Sequence, residues 1–313
     1  MRMHLIATSA KLVAATVAAA ACGVATPTTA PNAQSAAFPV TISEVGGATV
    51  TIAKQPHRIV SLSPTSTEML FAIDAGPQVV AVDDQSNYPA NAPTTKLSGF
   101  TPNIEAIAAY TPDLVVASDD TSGLVHGLEA LSIPTLIEPA AKNLDGTYAQ
   151  ISQLGEATGH LAAADLVNKK IRSDIAGIVS SIPKPSRAIS VYHQLDDTYY
   201  TATSNTFIGQ AYALFGLKNI ADGATAAAPD YPQLSAEYIV ASSPDLIVLA
   251  DTKCCHQDLH TVGARPGWSS IAAVKSGQVI GVDDDVASRW GPRVVDFLRL
   301  IAPHIRAVEA ASP

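Results

Sequence analysis

The chain has 313 residues, of which 47% are hydrophobic and 15% charged, and its formal net charge is −9. This length allows two domains of ordinary size with well-formed cores, and the composition argues against global disorder. An acidic surface repels phosphate backbones, so nucleic acid is not an expected partner.

The N-terminus has the pattern of an export signal. A basic start and an apolar run precede Cys22, which predicts a signal peptide over residues 1–21. Ala19-Ala20-Ala21-Cys22 is similar to a bacterial lipobox, in which the cysteine is lipidated; a simple cleaved signal peptide is the alternative. Residues 22–37 then predict a flexible tether after lipidated Cys22. We expect an exported protein, lipid-anchored on the outer face of the cell membrane.

Strand and helix signals alternate through residues 38–160, which we assign to an N-terminal lobe. Residues 40–52 predict a hairpin, and residues 58–62 predict a short buried strand. In the segment that follows, Thr65 and Glu68 fit a capping box at the start of a helix. The alternation favours parallel sheets with crossover helices.

One unit of this lobe occurs twice in the chain. Residues 105–116 and 237–248 each combine a glutamate, a short helical segment, a Pro-Asp turn and an apolar strand. A repeat of this kind in a chain of this length indicates two similar lobes, with a cleft between them. Glu105 and Glu237 are expected in the first turns of helices, where a carboxylate suits the dipole. On this interpretation the repeat describes the scaffold.

Residues 161–183 have a different pattern. Apolar side chains recur there every three or four positions, and Pro183 ends the run. This predicts a long amphipathic helix, and hence a rigid connector between the lobes. Residues 184–313 then form a C-terminal lobe with a closing helix. The predicted fold class is α/β, with two lobes of parallel sheet joined by one long connector helix.

Ligands of open parallel sheets bind at the carboxyl ends of the strands. The candidate ligand-binding residues in those loops are Ser63, Tyr88, Asp119, Thr121, His193, Arg289 and Trp290. Tyr88 could stack on a large ligand or pack on its own loop. Arg289 and Trp290 could hold a planar or anionic group, although Arg289 could instead pair with one of the aspartates at 283–285. Ser63 could simply be a helix cap.

The pair Cys254-Cys255 is the remaining local cluster. Two adjacent thiolates rarely fit one tetrahedral metal site, so we rank a vicinal disulfide first, free thiols second and a metal site third. We expect no metal site. The common nucleophile, zinc-protease and P-loop motifs are missing from the sequence, so we do not expect an enzyme.

Taken together, these motifs resemble the class III periplasmic binding proteins, the iron-siderophore and cobalamin receptors of ABC importers. The segments that carry the resemblance are residues 58–68, 86–89, 112–116, 244–248 and 288–293. The resemblance implies two Rossmann-like lobes with limited opening and closing, and a lipid anchor in bacteria that lack an outer membrane. It also implies a monomer without a resident cofactor, which delivers a small-molecule ligand to a permease and its ATPase.

The resemblance also implies a docking mode and a ligand class. Receptors of this family present an acidic residue on the first helix of each lobe to arginines of the permease; Glu68 matches in the first lobe, and Gln210 stands at the second position. The loops around Tyr88 and Arg289 look most like the cobalamin-binding branch. Few cations lie in the candidate loops, so we expect a cobalamin-like corrinoid, then a ferric siderophore, then haem. The same pair of lobes could also belong to a zinc or manganese receptor, or to a chelatase-like enzyme.

Overall fold

The structure is a computed structural model that describes residues 37–224 and 229–311. The predicted signal peptide, almost all of the predicted tether and the lipidation site Cys22 lie outside the described residues. No helix in the described part of the chain is both long enough and apolar enough to cross a membrane.

The N-terminal lobe is built on a parallel four-stranded sheet, and an antiparallel hairpin precedes it as predicted. The sheet order is β4-β3-β5-β6. The elements of this lobe are β1 Val40–Ser43, β2 Thr49–Ile52, β3 Ile59–Leu62, α1 Pro64–Ala72, β4 Val79–Val82, α2 Ile104–Ala108, β5 Leu114–Ala117, α3 Leu124–Glu129, β6 Thr135–Ile137 and α4 Leu144–Thr158. Strands β3 and β5 are buried throughout, which agrees with their uninterrupted apolar sequences.

The C-terminal lobe has a second parallel four-stranded sheet, of order β10-β9-β7-β8. Its elements are β7 Ser190–Gln194, α6 Phe207–Ala213, β8 Lys218–Asn219, α7 Ala236–Ser242, β9 Leu246–Leu249, α8 Leu259–Gly263, α9 Ala272–Ser276, β10 Val279–Gly281, α10 Asp284–Ser288 and α11 Val294–Ala310. The helix α5, Leu161–Ser180, lies between the two lobes in sequence. The predicted α/β fold class is therefore confirmed.

The two lobes pack into one compact unit. Helix α5 packs against α4 of the first lobe and against α11 of the second. Its buried positions Ile171 and Ile175 join one hydrophobic cluster with Ile151 of α4 and Ile301 of α11. The connector is thus part of a core that both lobes share.

The repeated Pro-Asp turns have the same function in both lobes. The Asp113 carboxylate accepts hydrogen bonds from the backbone N–H groups of His57 and Arg58, just before β3. In the other lobe, the Asp245 carboxylate accepts from the backbone N–H of Ser190, the first residue of β7. Each aspartate therefore ties the start of one strand to the start of its parallel neighbour, and this explains why the unit recurs.

The first helix begins differently from the prediction. Helix α1 is capped by Ser63, whose hydroxyl oxygen accepts a hydrogen bond from the backbone N–H of Ser66, with Pro64 as the first helical residue. The predicted capping box of Thr65 and Glu68 is wrong, because Thr65 already lies inside the helix and Glu68 is a turn further on.

Candidate functional site

The carboxyl ends of the two sheets face each other. The loop after β4 and the segment after β10 are joined by hydrogen bonds between the two lobes. Asn87 Nδ2 donates to Asp285 Oδ2 at 2.8 Å, and Arg289 Nη2 donates to the Gln85 carbonyl oxygen at 2.9 Å. The loops that follow the strands of both lobes therefore border one shared cleft, at the position where open parallel sheets bind ligands.

Exposed aromatic side chains lie in these loops on both lobes. Tyr88 and Phe100 belong to the loop between β4 and α2, and they are 46% and 77% exposed. In the C-terminal lobe, Tyr200 precedes α6 and Tyr231 precedes α7, at 41% and 48% exposure. Of these four aromatic residues, only Tyr88 was predicted from the sequence as a ligand contact. The signal for the others was an aromatic residue in a loop that leads from a strand to a helix.

Close backbone approaches position these aromatic residues. A Cβ atom added at Gly99 would lie 2.4 Å from the Leu62 carbonyl oxygen, so only glycine allows this loop to lie against the end of β3. In the other lobe, the backbone N–H of Leu234 donates to the carbonyl of Tyr199, and that of Thr201 donates to Pro232. These bonds join the two loops that carry the exposed tyrosines of that lobe.

A buried polar chain fixes the loop that carries Tyr88. The Ser86 hydroxyl donates to the carboxylate of Asp83 and shares a 2.9 Å hydrogen bond with the Thr67 hydroxyl. Burial raises the pKa of Asp83 above its usual value. Arg293 packs against one face of the Tyr88 ring, with its guanidinium carbon 4.4 Å from the ring centroid, in a cation–π contact. The loop that carries Tyr88 is thus fixed, while nearly half of the Tyr88 surface stays exposed to solvent.

Arg289 does not offer a free charge to a ligand. It is 8% exposed, and it donates to the carboxylates of Glu68 and Asp285, at 2.7 and 2.8 Å. The pairing of Arg289 with an aspartate of its own segment is therefore the arrangement observed. Its predicted role as a ligand contact is not supported by this arrangement, because both Nη groups already donate to acceptors within the protein.

Glu68 is buried rather than presented at the surface. Its side chain is 1% exposed and is paired with both Arg289 and Arg293. A permease arginine has no access to this carboxylate in the present conformation. Gln210 is exposed, but its amide donates to the carbonyl oxygen of Ser204. Docking through Glu68 and Gln210 stays a prediction, and the geometry of Glu68 opposes it.

The remaining predicted ligand contacts divide into buried and open positions. Ser63 is 1% exposed and serves as the α1 cap, and His193 is 1% exposed within the C-terminal lobe. His193 Nδ1 shares a 2.7 Å hydrogen bond with the Tyr212 hydroxyl, and burial lowers the pKa of His193 to about 3. Neither residue reaches the cleft. Asp119 is exposed and Thr121 half-buried after β5, where they border it.

Trp290 lies at the boundary between the lobes. Its indole Nε1 donates to Gln150 Oε1 at 3.0 Å, and its carbonyl oxygen accepts from the Thr147 hydroxyl at 2.8 Å. Both partners belong to α4 of the N-terminal lobe. The half-buried ring packs on the shared core, so its main contacts in this structure are structural.

Comparison with known proteins identifies the family of this architecture. The family model for periplasmic binding proteins matches residues 59–286. The chain is 31% identical over 277 residues to an ABC transporter substrate-binding lipoprotein of Bacillus subtilis, covering 86% of each chain. It is also 31% identical over 275 residues to a cobalamin-binding protein of Halobacterium salinarum, covering 85% of this chain and 73% of that one.

The chain belongs to the periplasmic binding protein family.

The fold agrees with this assignment. The crystal structure of a periplasmic vitamin B12 binding protein of Vibrio cholerae superposes with a TM-score of 0.67, covering 81% of this chain and 98% of that one. At 22% sequence identity the likeness concerns the fold. The family assignment confirms the resemblance identified from the sequence motifs.

Two exposed carboxylates occupy equivalent positions in the two lobes of this binding protein. Glu105 lies in the first turn of α2, and Glu237 lies in the first turn of α7. Both are exposed. Both helices begin at the carboxyl edge of their sheet, so the two glutamates flank the same cleft. From the sequence these glutamates were predicted to be part of the scaffold. The repeat that contains them was the signal for a symmetric pair.

The cysteine loop of the binding protein differs from the prediction. Cys254 and Cys255 are free thiols, so the predicted vicinal disulfide is wrong for this structure. The loop is held instead by Asp284, whose carboxylate accepts from the backbone N–H groups of Lys253 and Cys254 at 3.0 Å. Within residues 37–224 and 229–311, no group of three or more metal-ligating side chains is arranged around a common point.

Proposed function

We propose that this protein is the extracytoplasmic receptor of an ABC importer and that it captures a cobalamin-like corrinoid between its lobes. The observation that carries the proposal is the set of exposed aromatic residues on both sides of the cleft. Aromatic faces bind large, flat, partly apolar ligands through buried area and stacking. A corrinoid is a ligand of this kind, and a simple metal ion is not.

The charges around the cleft favour a ligand without strong negative charge. The exposed carboxylates after the strand ends include Asp84, Asp119, Asp120, Asp197, Asp222, Asp230 and Asp258, and the exposed lysines there include Lys96, Lys142 and Lys253. Lys253 is paired with Asp283, and Arg289 and Arg293 are paired with Glu68. The carboxylates of haem, or a tri-anionic ferric chelate, would meet net repulsion here. A neutral or cationic ferric siderophore would not be repelled by these carboxylates, and it is the second candidate ligand.

The relatives support this choice of ligand class. The Halobacterium salinarum protein is named for cobalamin binding, and it aligns with most of this chain at 31% identity. The Bacillus subtilis relative is named as a substrate-binding lipoprotein of an ABC transporter. By analogy we propose that this chain lies outside the cytoplasmic membrane, anchored through a lipid on Cys22, and acts as a monomer by binding and release without catalysis.

Docking to the permease is assigned to the two equivalent glutamates. Glu105 and Glu237 are exposed, symmetric and adjacent to the cleft, whereas Glu68 is buried and already paired. Two matched carboxylates, one on each lobe, suit a permease that presents an arginine to each lobe. This replaces Glu68 and Gln210 as the proposed contacts.

Binding to the purified protein tests the ligand assignment. Calorimetric titration with cyanocobalamin, a ferric siderophore and haem should give saturable binding for the corrinoid. Phe100→Ala should weaken that binding by roughly tenfold, since a stacked aromatic face contributes about 1 kcal/mol beyond its buried area. Leu131→Ala is the matched control, because Leu131 is 52% exposed in the same lobe but lies after α3, at the opposite edge of the sheet. Absence of binding by all three ligands would overturn the proposal.

A further inference from the structure

A single buried carboxylate joins the two lobes. Glu68 belongs to α1 of the N-terminal lobe, and both of its charged partners belong to the segment that follows β10. Its Oε1 accepts from Arg289 Nη1 at 2.7 Å, and its Oε2 accepts from Arg293 Nε at 2.9 Å. The partners are 221 and 225 residues away in sequence.

The two arginines make further contacts with the N-terminal lobe. Arg289 also donates to Asn87 Oδ1 at 3.1 Å and to the Gln85 carbonyl oxygen at 2.9 Å. Arg293 lies against the ring of Tyr88. The loop of residues 85–88, which presents Tyr88 to the cleft, is therefore positioned by two side chains of the opposite lobe.

The three consecutive aspartates at 283–285 fix helix α10 to the rest of the C-terminal lobe. Asp283 caps α10 and pairs with Lys253, and Asp284 accepts from the Thr252 hydroxyl and from the loop after β9. Asp285 also pairs with Lys253, and it accepts in addition from Asn87 of the N-terminal lobe and from Arg289. All three aspartates thus attach helix α10 to the loop after β9 of the C-terminal lobe, and Asp285 also attaches it to the N-terminal lobe.

The approach of the two lobes is tight at this point. A Cβ atom added at Gly291 would lie 3.3 Å from Thr65 Cγ2 and 3.7 Å from Glu68 Oε2. The backbone between the two arginines therefore passes directly over α1. A charge buried this well is costly unless its partners stay in place, so loss of the Glu68 charge would leave the buried guanidinium of Arg289 and the half-buried guanidinium of Arg293 without their shared counter-ion.

We propose that Glu68 is a positioning residue of the cleft, which holds α10 and the Tyr88 loop in one fixed arrangement across the lobe boundary. The effect of Glu68 on ligand affinity rests on the proposed function. Its effect on the order of α10 and the Tyr88 loop does not, because it concerns the ligand-free protein. The resulting cleft floor is preformed, so that binding energy is not consumed in ordering it.

Hydrogen exchange of the ligand-free protein tests the effect of Glu68 on the order of α10 and the Tyr88 loop. In Glu68→Gln, which keeps the volume and removes the charge, amides of residues 84–88 and 284–291 should exchange at least about tenfold faster. Amides of β3, β5, β7 and β9 should keep their native rates. Glu129→Gln, an exposed glutamate at the end of α3, is the matched control and should change neither set.

Two results would overturn the role. One is unchanged exchange in both segments; the other is an equal acceleration in the core strands, which would make Glu68 a general stability residue. If Glu68→Gln does not fold, Arg293→Lys keeps a positive charge but loses the paired geometry, and it should show the same local pattern at smaller magnitude. Cyanocobalamin affinity should fall about tenfold in parallel. Failure of native protein to bind cyanocobalamin would reject the ligand assignment and leave the exchange result standing.

Discussion

Glu138 follows β6 with 1% of its surface exposed, and its Oε1 has no hydrogen-bond partner among the described residues. Burial, with a smaller contribution from the charge of Glu44, raises the pKa of Glu138 to about 8. The carboxyl group is therefore protonated at neutral pH in the folded protein. Glu138 is buried, whereas the glutamates of α2 and α7 are exposed. Sequence alone does not separate these glutamates, because burial is decided by the whole fold.

The raised pKa predicts how stability depends on pH. In the unfolded chain the group titrates near 4.5, so between that value and about 8 the folded state binds the extra proton. The contribution of Glu138 to the free energy of unfolding is fully present below pH 4.5 and is lost as the pH rises through about 8. Between these two pKa values the free energy of unfolding falls by at most about 1.4 kcal/mol per pH unit.

Glu138→Gln should remove this dependence, because glutamine mimics the protonated carboxyl group. Urea unfolding at pH 6 and pH 9 should show a smaller fall in unfolding free energy for the variant than for the native protein. Glu129→Gln serves as the exposed control. Parallel pH profiles for native protein and Glu138→Gln would contradict the assignment.

At the scale of elements, α2 and α7 are the two copies of one unit, and they present the proposed docking surface. Glu105→Ala combined with Glu237→Ala should leave ligand affinity nearly unchanged, because neither side chain enters the cleft. Uptake of labelled ligand by cells should fall by about an order of magnitude or more, since charge-assisted contacts to arginine are lost on both lobes. Glu129→Ala, at the opposite edge of the first sheet, should transport normally. Loss of affinity and uptake together would mean that the glutamates act within the cleft.

The elements predicted best from sequence are those specified by local pattern. The apolar strands β3, β5 and β9 and the amphipathic helix α5 have strong signals, and they lie where the sequence placed them. Ser63 and His193 are buried, which the sequence could not show, because a position at or after a strand end does not tell whether a side chain points to the cleft or to the core. Phe100 and Tyr231 were missed because their loops contain no motif, and only the assembled lobes bring them to one cleft.

At the scale of the whole molecule, two helices and a pair of ion pairs connect the lobes, in addition to the hydrogen bonds of Asp285 and Trp290. Helix α5 is continuous over 20 residues, α11 packs on it, and the Glu68 ion pairs cross between the lobes. Hinge closure needs a few residues that absorb large backbone changes, and a packed helix supplies none. We expect the lobes to change their separation little when ligand binds.

Small-angle scattering with and without saturating ligand checks this expectation, and the radius of gyration should show no resolvable change. Insertion of two glycines in α5 after Gly177 should interrupt the helix, increase the radius of gyration of the free protein and weaken binding. The same insertion beside Gly46, in the β1–β2 turn, is the control, since that turn already has two glycines with positive φ. A large contraction of the native protein on binding would refute the picture of a preformed cleft.

The positions of the two tryptophans have an optical consequence. Trp268 is fully buried in the C-terminal lobe, with Tyr192, Tyr199 and Arg265 around it. Trp290 is half-buried at the lobe boundary and is hydrogen-bonded to Gln150. A coloured ligand in the cleft should therefore quench the fluorescence of Trp290 more strongly than that of Trp268. The native protein carries an intrinsic fluorophore beside its binding site, and Trp268→Phe would isolate that signal without any attached dye.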